Sequence, residues 1–501
     1  MRALTITDTD GPDLEIIRTI ADGRAVSIGP GLLDMVQKRC TEAREALRDG
    51  RTVYGVNTGM GALSGVRLTE QQQLSHQRNL LLARATGGPP WLGRSEVRAI
   101  IVVRLLTFLS GDAAVSGALC ESLAAFLNSG IVPAVPRSGI GAAGEIMQLA
   151  HAFGPLVGIG QVVGPGGVTL PAGRALRDRN MSEFSLGQKE GIALIEGVPG
   201  TTGLCVLRLR EAARLTSLME ASAALSIVAA CAPRDPYSAA CARGDDILAA
   251  VLGRLRAAVG DEPHPRSLQA PISFRVAGPV LAHVDRASAL LEAAIHRALT
   301  AVTDSPAYLD GKFVGTAGFH GIDLAANCDQ LTAAFCHAAE VATARIHRLM
   351  DPAVTGLHAQ LAHEPGPDAG MSPVHKRAAG EVHAMRCLAA ATPVGLIETS
   401  GGQEDVQSFG WEAAESLRLA IRHGHAVTSC ELLTAYRAVT LSPPRRSFPA
   451  WTSSTSSPSR APIRRRSCRR SRTGSSRGSR RSSPPPCSSS GCSSSRSSSS
   501  A

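Results

Sequence analysis

Although the chain has twelve cysteines, no two of them stand in a C-x-x-C spacing, and three lie beyond residue 442. That excludes the usual zinc-binding and compact disulfide frameworks. Long unbroken apolar runs are missing too. The most hydrophobic stretches, Ala99 to Leu109 and Leu218 to Ala232, are interrupted by Arg104 and Glu220, so neither has the length of a membrane span. Acids at Asp8 and Asp10 follow Met1-Arg2-Ala3-Leu4-Thr5-Ile6 too closely for a secretory leader. Aromatic residues are scarce, at 3%. Acids are absent from the final segment: residues 443–501 hold thirteen arginines and no Lys, Asp or Glu, so the first 442 residues carry −3 of a net +10. The body is mildly acidic, and the expectation is a soluble cytoplasmic protein without metal.

What the chain does have is helical periodicity. Pro30 to Arg48 is amphipathic, Val97 to Leu127 reads as two helices parted by Gly111-Asp112, and Leu204 to Ala232 suits a buried bundle helix. Val280 to Thr303, Ile322 to Met350 and Gly410 to Leu433 continue the pattern. Ala3 to Thr7 reads as a short strand, and Gly160 to Gly173 as a Gly/Pro-rich loop. From Ser442 onward Ser, Arg and Pro replace periodic sequence, a composition that predicts disorder. Two explanations stand for this tail: a phosphate-attracting arginine-serine arm, or a shifted reading frame that has replaced helical sequence. The abrupt break favours the second.

The most informative stretch is Ser138-Gly139-Ile140-Gly141-Ala142-Ala143-Gly144-Glu145, followed by the apolar Ile146-Met147-Gln148-Leu149-Ala150-His151. Its small residues let backbone approach a ligand closely. The letters also satisfy G-x-G-x-x-G, but a dinucleotide site needs a preceding strand and an acid about 20 positions on. Pro133 and Pro136 argue against the strand, and Gly160 to Leu170 contains no acid.

The stretch resembles the Gly-Ala-Ser-Gly-Asp segment of the histidine and phenylalanine ammonia-lyase family. Further segments resemble that family in the same order. Tyr54-Gly55-Val56-Asn57-Thr58-Gly59-Met60-Gly61 is similar to its tyrosine loop, and Gln188 to Gly197 to its Lys-Glu-Gly segment. Ala270 to Arg275 resembles Asp-Pro-Tyr-Ser-Leu-Arg, Gly318-Phe319-His320-Gly321 resembles Asn-Phe-His-Gly, and Thr399 to Asp405 resembles Thr-Ser-x-Asn-Gln-Glu-Asp. The resemblance runs from about Leu14 to Leu441. It implies a mainly α fold: a long central helical bundle over 201–441, with a smaller N-terminal region over 1–200 carrying the active-site loops. A homotetramer whose sites draw residues from several subunits is also implied.

By that resemblance Tyr54 is the acid/base, Arg275 the carboxylate fork, and Phe319, Gln403 and Glu404 line the substrate. In the family an internal Ala-Ser-Gly closes into a methylidene-imidazolone, the electrophile that captures the amine. The corresponding residues are Ala142, Ala143 and Gly144. Cyclisation of the Gly144 nitrogen on the Ala142 carbonyl needs no Ser, but the methylidene arises by loss of the Ser hydroxyl as water. Ala143 has none, so the ring is not expected, and no external cofactor is implied. Glu196 replaces an Asn that supports the ring; its charge either opposes a developing oxyanion or serves as a base. Ile272 replaces a second Tyr, and Gly402 another Asn. Ala83 and Arg84 occupy the positions that read the substrate side chain, and an Arg there suits an acidic or strongly polar group.

The expected function is therefore elimination of ammonia from an amino acid, or the related aminomutase reaction, with chemistry altered or lost. The alternative is a non-catalytic scaffold or regulatory subunit of the same fold. Nucleic acid is an expected partner only if the tail is native.

Overall fold

The helix starts are written locally. In the computed structural model, which describes residues 3–442 apart from positions 10, 139, 140, 142, 263 and 396, Thr69 opens Glu70–Arg84 with a capping box. Its hydroxyl accepts from the Gln72 N–H, and the Gln72 side chain accepts from the Thr69 N–H. Two donors that a helix start leaves open are thereby satisfied. Ser116 caps Gly117–Ser129 through its hydroxyl alone, which accepts from the Leu119 N–H at 3.2 Å, and Gly130 ends that helix with φ 76°, a conformation that costs glycine little. Arg94–Phe108 and Gly117–Ser129 are the two helices expected around Gly111-Asp112.

The bundle is built by Pro199–Ala229, Ala277–Thr300, Ile322–Leu349 and Gly410–Leu441, with the shorter Ser372–Leu388 packed against them. Pro199–Ala229 is apolar on nearly every side, which requires an interior position. It crosses Arg94–Phe108 so closely that a Cβ on Gly203 would lie 2.8 Å from the Ala99 carbonyl carbon. One apolar core runs from Ile6 to Ala438. Within the bundle sits a buried ion pair. Glu431 receives Arg345 Nε at 2.5 Å and the hydroxyls of Ser222 and Ser226 at 2.7 and 2.8 Å. Arg345 Nη1 also donates to the Ser273 carbonyl at 3.1 Å.

Strands are few and short. Leu4–Ile6 pairs in parallel with Val26–Ile28, Gln161–Val163 antiparallel with Thr169–Pro171, and Ala307–Leu309 antiparallel with Lys312–Val314. The protein is mainly α, as the periodicity predicts.

Three expectations change. The 160–173 stretch, read as a loop, contains a hairpin, because Val162 and Leu170 pair across it. The last helix, read to Leu433, continues to Leu441. The segment 190–229 has the length and composition of a membrane span, and its most apolar window is wholly buried inside the fold. No strand leads directly into the glycine turn among the described residues, where the preceding element is the helix Gly117–Ser129. Pro133 and Pro136 make only isolated bridges, to Val162 and Trp91, so the dinucleotide reading lacks its context. The tail beyond Ser442 lies outside the described residues.

Candidate active site

A cavity of about 450 Å³ opens where the tyrosine loop, the 143–146 turn, the end of Glu190–Ile195 and the 403–404 loop converge. Gln77 ties two of these together. Fully buried, it donates to the Gly55 carbonyl at 3.1 Å and accepts from the Ile192 N–H at 3.0 Å. Asn57 closes the tyrosine loop, accepting from the Val53 N–H and donating to the Arg51 carbonyl, both at 2.7 Å. Tyr54 Oη accepts from the Gly61 N–H at 2.8 Å. Burial raises the Tyr54 pKa; that hydrogen bond opposes the rise, the carboxylates of Glu196 and Glu404 add to it, and Arg84 counteracts it.

The turn is pinned from two sides. Ala143 N–H donates to Glu404 Oε2 at 3.0 Å, and the Glu404 carboxylate also accepts from Thr399 at 3.2 Å and Ser400 at 3.0 Å. Gly144 holds φ 76°, and Glu145 points inward to accept from the Gly200 and Thr201 N–H groups at 2.7 and 2.6 Å. These are open donors at the start of Pro199–Ala229, where the helix dipole favours a carboxylate. Burial nevertheless lifts Glu145 to about 7, against the lowering effect of those bonds.

Behind the cavity lies a set of buried charges. Glu196 lines the cavity and is pushed up to about 8, chiefly by burial and then by the neighbouring Asp304, with Lys189, Arg104 and Arg84 opposing. Lys189 is engaged with Asp304 at 2.5 Å. Arg104, wholly buried and lowered to about 10 by desolvation, donates to the backbone carbonyl of Glu196 rather than to its carboxylate. Among the described residues none donates a hydrogen bond to the Glu196 carboxylate.

Of the residues singled out in the sequence, Tyr54, Ala143, Glu196, Phe319, Gln403 and Glu404 line this one cavity. Gly144 backs it: a Cβ there would lie 3.4 Å from the Phe319 carbonyl oxygen. Arg84 is half-buried beside Met60, Nη2 to Sδ 3.7 Å, and its charge is felt by Tyr54 and Glu196. Arg275 is not brought here. It sits on the short helix Ile272–Arg275 and faces a separate pocket with Asp235 and Cys241. Ala142 lies outside the described residues. Sequence reasoning passed over Gln77, Arg104, Glu145, Lys189 and Asp304 as site residues. Arg104 left a signal by interrupting an apolar helix; Asp304 left none.

A family profile for aromatic amino acid lyases matches residues 13–460. Histidine ammonia-lyase of Geobacillus thermodenitrificans is 34% identical over 435 residues, spanning 85% of this chain and 86% of that one. Among solved structures, tyrosine aminomutase from Streptomyces globisporus aligns with a TM-score of 0.81 at 25% identity, covering 87% and 89% of the two chains. The ergothioneine-degrading ergothionase of Treponema denticola aligns with a TM-score of 0.83, covering 87% and 90%, and at 22% identity that likeness is one of fold. The helical architecture and the cavity thus define an amino acid ammonia-lyase-like protein. The chain belongs to the aromatic amino acid lyase family.

Proposed function

We propose that the cavity is an amino-acid elimination site that works without the family's self-made electrophile. The observation that carries this is the gathering of Tyr54, Ala143, Glu196 and Glu404 on one wall system. The residues do not fit the methylidene ring: the side chain offered to the cavity at position 143 is a methyl, with no hydroxyl to depart as water. No step is therefore drawn through that group. Tyr54 and Glu196 are the proton-transfer groups, since the half-buried phenol and the buried carboxyl are acids whose neutral forms are favoured and whose ionised forms are correspondingly basic. Glu404 holds the 143 turn, Phe319 and Gln403 shape the substrate site, and Arg84 reads a polar or acidic side chain.

Arg275 binds the substrate carboxylate from a neighbouring copy, because within one chain it faces elsewhere. That makes the working form a homo-oligomer, a tetramer by family likeness, in the cytoplasm. Residues 1–200 supply the tyrosine loop and the 143–146 turn of the site, and 201–441 supply the bundle together with Phe319 and the 403–404 loop. The missing ring sets this chain apart from ordinary ammonia-lyase chemistry.

The test is amine release from a broad panel of amino acids and their N-alkylated forms, comparing the chain as it stands with Ala143→Ser. Release by the unaltered chain supports the proposal, whereas release by the Ser variant alone shows an elimination pocket that needs the electrophile and overturns elimination without it. A folded protein silent in both forms overturns the proposal in favour of a non-catalytic scaffold.

A further inference from the structure

A second and much smaller space, of about 20 Å³, lies against Gly144 and Glu145. Three elements meet there: the helix Ile146–Phe153 through Gln148, the start of Pro199–Ala229 through Thr201, and the turn Gly318–His320 through His320. Each brings a buried polar atom that has no hydrogen-bond partner among the described residues: Gln148 Oε1, Thr201 Oγ1 and His320 Nε2. Gln148 and Thr201 are only 3% and 1% exposed, so bulk solvent does not reach them. Buried polar atoms left unpaired are destabilising and uncommon. Three of them around one space call for a common partner.

Nearby protein groups do not supply it. The Thr201 hydroxyl lies close enough to the Glu145 carboxylate to favour its ionised form, but without the geometry of a hydrogen bond. The Glu145 oxygens are engaged by the Gly200 and Thr201 N–H groups. Ser408 turns its hydroxyl to the His320 carbonyl, and Trp411 Nε1 donates to the Arg137 carbonyl at 2.8 Å.

Size and charge select the partner. One water needs roughly 10–15 Å³ of such space, so the site admits a single water and nothing larger. A cation is disfavoured by the positive end of Pro199–Ala229 and by Arg104, whose charge is felt at Glu145. An anion is disfavoured by Glu145 itself. A small neutral molecule that both donates and accepts remains.

We infer that one buried water occupies this space and joins Gln148, Thr201 and His320 behind the active-site wall. Its two hydrogens go to Gln148 Oε1 and His320 Nε2, and its oxygen accepts from the Thr201 hydroxyl. Three hydrogen bonds are the usual complement of an internal water. The helix that carries Gln148 begins with Ile146, and the turn that carries His320 contains Phe319; both residues line the larger cavity. The water therefore fixes the spacing of two wall elements against the start of the central helix. This holds whether or not the cavity eliminates an amine.

The experiment is a high-resolution crystal structure of the full chain, with a second crystal soaked in thallium(I), a stand-in for potassium or ammonium. One density peak should lie about 2.7–3.2 Å from all three atoms, with no anomalous signal from thallium. Gln148→Met, which replaces the amide by an apolar group of similar size, should abolish the peak. It should also speed amide hydrogen exchange at 143–146 and 319–321 about tenfold, the scale of buried polar groups left unpaired, while 205–225 stays protected. Thr201→Val should speed exchange in the same two segments. Thallium at the site overturns the inference in favour of a cation. Protein groups found partnering the three atoms, with no density between them, overturn it outright. Unchanged exchange in both variants overturns the joining role. The crystal measurements use the unaltered chain, so they decide the matter even if neither variant folds.

Discussion

Replacing Glu196 by Gln should make stability less sensitive to alkali. Folding carries this carboxyl from its ordinary 4.5 to about 8, mainly because burial penalises the charge. Between those values the folded chain binds a proton that the unfolded chain has released, so the Glu196 contribution is fully present below 4.5 and is lost as pH rises through 8. The slope is about 1.4 kcal/mol per pH unit, which accumulates to about 3–4 kcal/mol between pH 5 and pH 8. Gln has nothing to titrate. Thermal unfolding of both proteins at pH 5, 6, 7 and 8 measures the difference, and Glu145, present in both, cancels. The variant should gain on the parent steadily across the series and melt several degrees above its expected position by pH 8. A difference that stays constant with pH would mean that Glu196 is ionised throughout, and the argument for a buried base would fail.

Other perturbations follow from the same contacts. Arg345→Ala leaves Glu431 buried with only the hydroxyls of Ser222 and Ser226, at a cost of about 3–5 kcal/mol; pairing it with Glu431→Leu should restore most of the lost melting temperature. Glu404→Ala strands the Ala143 N–H, a loss of about 1–3 kcal/mol, and should speed amide hydrogen exchange at Ala143 and across 399–404 while leaving the central helices protected. Gly203→Ala should destabilise by about 1–3 kcal/mol through overpacking against Ala99, read as a lowered denaturation midpoint.

The fold was legible because its signals are local. The apolar spacing in Ile322–Leu349 and the Gly111-Asp112 break survive any context, and most expected bounds lie within a few residues of the observed ones. The hairpin at 161–171 was less visible, since its strands are three residues each amid glycine and proline. The cavity wall was legible through motifs: Tyr54, Ala143, Glu196, Phe319, Gln403 and Glu404 are far apart in sequence but come together. What surrounds them was not. Asp304 sits in no motif, and its meaning comes only from Lys189 and Arg104 closing around it. Glu145 reads in sequence as the end of a glycine turn, and only the fold reveals it as the cap of Pro199–Ala229. Charges that act through burial depend on tertiary neighbours, which spacing along the chain does not reveal.

The central claim, elimination without a self-made electrophile, is tested most directly by the mass of the tryptic peptide that begins at Ser138 and ends at Arg174. Ala143 should leave it without the absorbance of a conjugated ring and without the combined loss of one water and two hydrogens that a methylidene at Ala143 would require. A peptide lighter by that combined loss, mapped to residues 142–144, would show that the electrophile forms despite Ala143 and would contradict the account.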